Sequence, residues 1–235
     1  MTAVAEGTAA TTSGDVALER ATKWANDYAA RLTERAEYRL AELAGHSNGN
    51  GVRPRIGEPT TGDPTTGFYV GFDVVATSPI QFGGPPPYQP SKVIAAGEQA
   101  FLIAFIFVNP TVNIPLGWAV PATVQLGGRT WRMTLDQGNL TTGGVLPQQV
   151  QTATFTSPAA TITPVIFSLA TPNPGPDPAL IEANVTVDIV DPAQPYAAFA
   201  TNFLDIDNDP GFLGVPATAD GFRHELPNRY LIYSE

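Results

Sequence analysis

Helix-breaking residues constrain this chain more than any other feature. Beyond residue 60, turn-forming groups recur throughout: Gly62-Asp63-Pro64, Gly83-Gly84-Pro85-Pro86-Pro87, Asn109-Pro110, Gly127-Gly128, Gly143-Gly144, Pro172-Asn173-Pro174-Gly175-Pro176, Asp191-Pro192 and Asp209-Pro210-Gly211. Proline removes a backbone donor and clashes with the preceding helical turn, and glycine costs entropy inside any regular element. Between these groups stand runs rich in Val, Thr, Ile and Phe, the side chains that suit a pleated, half-buried surface. They are Phe68–Ala76, Ala100–Val108, Trp118–Leu126, Thr130–Leu135, Val150–Thr156, Thr161–Ala170, Ile181–Val190, Ala197–Leu204 and Tyr230–Tyr233. Short strands separated by turns predict a mainly β domain, an antiparallel two-sheet β-sandwich of immunoglobulin-like or jelly-roll type.

Alternation assigns the faces. In Ile181 to Val190, the set Ile181, Ala183, Val185, Val187 and Ile189 alternates with Glu182, Asn184, Thr186 and Asp188, so one face is buried and the other wet. Ala100–Val108 differs, being apolar at every position. A strand of that kind is central in its sheet and covered on both sides.

The first 56 residues have another character. They hold only one of the chain's 23 prolines, and their seven basic residues balance seven acids. Leu18, Ala21, Ala25, Tyr28, Leu32, Ala36, Leu40 and Leu43 recur three or four residues apart, which places them on one stripe of an amphipathic α-helix over 15–45. Thr12, Ser13 or Asp15 can cap its start, and Gly45 can end it. Local terms do little for such a helix, so the stripe needs a partner. That partner is either the chain's own β domain or a neighbouring subunit. Residues 1–14 then form a flexible start, 15–45 the helix as an assembly arm, 46–66 a polar linker, and 67–235 the β-sandwich.

The formal charge of −10 lies entirely in the β region. An acidic balance disfavours phosphate-tracking nucleic-acid binding and anionic membranes. With no cysteine, disulfides, thiolate metal sites and cysteine nucleophiles are excluded. The acidic start lacks the basic region of a secretory signal, and the longest apolar run, nine residues, falls short of the ~20 that a spanning helix needs. A cytoplasmic protein, or one incorporated into an assembled particle, is expected.

Candidate sites are few. Asp205, Asp207 and Asp209 alternate in a turn and are candidate calcium ligands, although Pro210 and Pro216 stand where a helix-loop-helix calcium site needs glycine and glutamate. An acidic turn of this kind also forms without a metal. No other cofactor is indicated. Of two histidines, only His224, near Asp220, Arg223 and Glu225, could join an acid/base group, and no nucleophile motif accompanies it. Trp118, Trp131, Tyr88, Tyr196, Tyr230 and Tyr233 could offer a stacking surface. Arg129, Trp131 and Arg132 form the one concentration of positive charge in the acidic region, a docking edge for an acidic neighbour or an edge strand guarded by charge. Together these features favour a non-enzymatic structural protein that self-assembles as a homo-oligomer, or with another subunit, into a particle such as a virion, shell or filament. The competing expectation is a soluble module binding carbohydrate or protein, with calcium; a hydrolase is third.

Overall fold

A computed structural model describes residues 13–46, 72–110, 120–190, 197–199, 201–203 and 228–234, with 35–46, 197–199 and 201–203 described by backbone alone. The protein is mainly β, with two sheets and an N-terminal helix. Helix α1 spans Ser13–His46, so it runs through Gly45 instead of stopping before it. The strands are β1 (Phe72–Thr77), β2 (Ile80–Gln81), β3 (Val93–Ala95), β4 (Ala100–Val108), β5 (Thr130–Asn139), β6 (Gly144–Val145), β7 (Gln149–Thr154), β8 (Ile162–Leu169), β9 (Ala179–Ile189), β10 (Ala197–Phe199), β11 (Thr201–Phe203) and β12 (Asn228–Tyr233). The run Trp118–Leu126, expected as a strand, contains a short helix instead, α2 (Ala122–Leu126). Pro121 starts it, its carbonyl accepting from Val124 and Gln125 N–H, and Gly127-Gly128 ends it.

In the first sheet β4 is central, with β1 and β2 along one side and β8 along the other; β11 extends the sheet beyond β1. The second sheet runs from β3 through β12, β9 and β5 to β6 and β7, with β10 beside β9. Two pairings, β1 with β11 and β12 with β3, are parallel. The sheets are therefore mixed, against the wholly antiparallel expectation. Parallel neighbours need long crossover connections, and these strands come from distant parts of the chain.

The strand β4 has both its faces buried, as its composition demands. Leu102, Ala104, Ile106 and Val108 face a cluster shared with Met133 and Leu135 of β5, Val185 and Val187 of β9, and Tyr230 and Ile232 of β12. One hydrophobic core thus draws on both sheets. Phe101, Ile103, Phe105 and Phe107 face the other way and pack with Ala21, Ala25, Tyr28, Ala29 and Leu32 of α1. Alanines let the helix approach closely, and the phenylalanines fill the space. Trp24 stacks on Tyr28 at 4.7 Å between ring centroids, and Tyr28 meets Phe105 at 5.6 Å. At ~1.5–3 kcal/mol per fully buried large apolar side chain, this contact outweighs any local helix term.

Candidate interaction surface

The stripe on α1 finds its cover within the chain. Ala21, Ala25, Tyr28 and Leu32 are buried against the first sheet, so the expectation that these four meet a neighbouring subunit is corrected. The two apolar surfaces that each needed a partner are partners of each other. Leu18 stays 47% exposed, and the side chains of Ala36, Leu40 and Leu43 lie outside the described residues.

The basic strand also lies elsewhere than expected. β5 has β9 on one side and β6 and β7 on the other, so it is not an edge. Successive residues point to opposite faces. Trp131 therefore enters the core, 6.4 Å from Phe155 between ring centroids, while Arg132 stands on the outer face. There its guanidinium donates from Nε and Nη2 to the two carboxylate oxygens of Asp188 at 3.1 and 2.8 Å, which raises the arginine's pKa through the hydrogen bonds first and the charge second. Trp131 and Arg132 share no surface. Arg129 adjoins the strand, donating to the Gln125 carbonyl at 3.5 Å.

The outer face of the second sheet is consequently close to neutral. Arg229 reaches Glu182 at 3.0 Å as Arg132 reaches Asp188, and Gln148 donates to Asp136 at 2.7 Å. Between these pairs stand Thr130, Thr134, Thr152, Thr154 and Thr186, with Val93, Val150 and Val190 about half exposed. Two of the three acids described on this face are tied to arginines and the third, Asp136, is held by a neutral amide, so threonine and valine separate charges that nearly cancel.

At one side of this sheet lies β7. Gln149 and Gln151 point inward and donate through Nε2 to the carbonyls of Ser168 and Ile166 on β8, the neighbouring edge of the first sheet; the Gln149 bond is 2.7 Å. Pro164, which lacks a donor, sits on β8 among those outward-facing positions. Side chains thus guard the β8 edge.

Two buried polar features lie apart from this surface. Gln137 Nε2 donates to the Tyr230 hydroxyl at 2.6 Å inside the core, and burial, only partly offset by that bond, raises the phenol's pKa. Asp73, half-buried on the helix-covered side of β1, accepts from Val74 N–H at 2.8 Å, and burial pushes its carboxyl up to about 7 against that bond. Of the aromatic candidates, Trp131 and Tyr230 are core residues and Tyr88 packs on Phe82 at 4.8 Å, so they form no common stacking surface. Trp118, Tyr196, Asp205, Asp207, Asp209, Asp220, Arg223, His224 and Glu225 lie outside the described residues. Among the described residues no group of three His, Cys, Asp or Glu could hold a metal, and no helix is long and apolar enough to cross a membrane.

No protein-family model matches the chain, and no curated protein matches it by sequence. Among solved structures it is similar to the CARDB domain of a Pyrococcus furiosus protein crystallised with di-metal ions, at 11% identity and a TM-score of 0.28, covering 57% of this chain and 90% of that one. It is also similar to a family 123 glycoside hydrolase from Clostridium perfringens, at 8% identity and a TM-score of 0.27, covering 56% of this chain and 28% of the other. Likenesses this weak bear on neither the function nor the details of the fold.

Proposed function

We propose that the protein is a non-enzymatic structural subunit of a homo-oligomeric assembly. In this reading its two sheets form a β-sandwich of immunoglobulin-like or jelly-roll type, α1 is a built-in cover for one sheet, and the other sheet is the side that meets neighbours. The observation that supports it is the outer face of the second sheet, where Arg132–Asp188 and Arg229–Glu182 neutralise one another amid exposed threonine and valine. A chain of formal charge −10 repels its own copies unless they meet where charge is already cancelled. That face provides such a place.

The test is the mass of the purified protein in solution, by sedimentation velocity between about 1 and 100 µM at moderate salt. A dimer or larger particle supports the assignment. A monomer throughout, combined with a clear hit on a glycan array or heat from a calcium titration, would instead favour the binding module.

A further inference from the structure

We propose that β7 is an open pairing edge at which two copies join, strand to strand, in a two-fold antiparallel arrangement that makes their second sheets continuous. This rests on the assembly reading and names the contact. The register fixes which backbone groups are available. Val190 N–H donates to Thr130 O, so even-numbered residues of β5 bond towards β9; Phe155 N–H donates to Arg129 O, so odd-numbered residues bond towards β7. On β7 the inward partners are therefore Gln149, Gln151 and Ala153. The N–H and C=O groups of Val150, Thr152 and Thr154 point away from the sheet, and no described strand pairs with them.

Folded proteins ordinarily protect such an edge with lysine, proline, a bulge or a covering element. The adjacent β8 edge has that protection in Pro164 and the two glutamine amides. Among the described residues β7 has none of it: Gln149–Thr154 contains no charge and no proline, and it pairs with β5 over six residues without a bulge. The same glutamine bonds that close β8 also anchor β7, so little ordering remains to be done when a further strand arrives.

The chain's own chemistry selects a second copy as the occupant. A charged partner finds nothing on this uncharged strand to recognise, whereas an identical strand fits it. With Thr152 opposite Thr152 of the second copy, Val150 faces Thr154 and Gln151 faces Ala153. The outer row then consists of β-branched neighbours, which are favourable cross-strand pairs, with no like charges opposed.

The test is sedimentation velocity on the full chain, wild type against Thr152→Pro and Thr152→Lys. The Thr152 N–H lies outside the ladder with β5, so proline removes an outward donor while sparing the existing sheet; lysine places like charges together at the two-fold axis. Each variant is expected to weaken dimerisation at least ~30-fold, proline through the loss of an outward hydrogen bond on each copy and lysine through like-charge repulsion at the axis, with an unchanged circular dichroism spectrum. Should proline prevent folding, the lysine variant alone decides. If both folded variants self-associate as tightly as wild type, the β7 contact is overturned while the assembly reading survives. A wild type that stays monomeric to about 100 µM overturns both.

Discussion

Replacing Leu32 by alanine separates a helix docked on its own sheet from one that is free. Leu32 is 1% exposed, in the cluster with Phe101 and Phe105. Truncating a buried leucine removes its transfer free energy and leaves a cavity, together costing about 2–4 kcal/mol. On a solvated helix the same change costs next to nothing, because alanine is the better helix former. Chemical denaturation followed by circular dichroism reads the difference. The midpoint should fall with little change in slope, and in a domain of this size the melting temperature should drop by roughly 5–15 °C. Both losses should be independent of protein concentration, because the cover is intramolecular. A drop below about 1 °C would refute the docking of α1, and a loss that grows on dilution would move the contact to another chain.

Three further outcomes follow from particular groups. The folded-state pKa of Asp73, about 7, lies above its ordinary 3.8, so the carboxyl costs nothing at low pH, where it is neutral in both states, and destabilises increasingly from pH 4 to above 7. Asp73→Asn should therefore stabilise the protein more at pH 8 than at pH 4.5, by about 3 kcal/mol in urea titrations; an equal gain at both would contradict this. Tyr230→Phe should cost ~1–3 kcal/mol by leaving the Gln137 amide without its acceptor, and adding Gln137→Met should recover most of it; if the double variant is the less stable, the buried pair is not the cause. Arg132→Glu puts a second acid beside Asp188, so the melting temperature should fall at low ionic strength and recover in about 0.5 M salt; a salt-independent loss would indicate a packing role.

Alternation and apolar content made the strands legible. The sequence of β4 requires cover on both faces, and the Ile/Val set of β9 faces the core as its period demands. Less legible was that the helical stripe and the phenylalanine face of β4 cover each other. A stripe states how much apolar area needs hiding, but complementarity depends on small against large residues, Ala21 and Ala25 against Phe101 and Phe105, across some 80 positions of chain. Trp131 and Arg132 are neighbours in sequence and lie on opposite faces, a separation that strand period alone could have supplied. That β5 is internal could not be read so, because β9, its neighbour, begins 40 residues after β5 ends. The helix at Ala122–Leu126 was hidden by β-compatible residues, with Pro121 the one signal of its start.

The most direct test of where copies meet is amide hydrogen exchange, residue by residue, at two protein concentrations about a hundredfold apart. The amides of Val150, Thr152 and Thr154 are expected to exchange quickly in the dilute sample and to become protected in the concentrated one. Those of Ala21 to Leu32 should be equally protected in both. Concentration-dependent protection confined to the helix, with β7 exchanging freely throughout, would contradict the assignment of α1 as an internal cover and β7 as the joining edge.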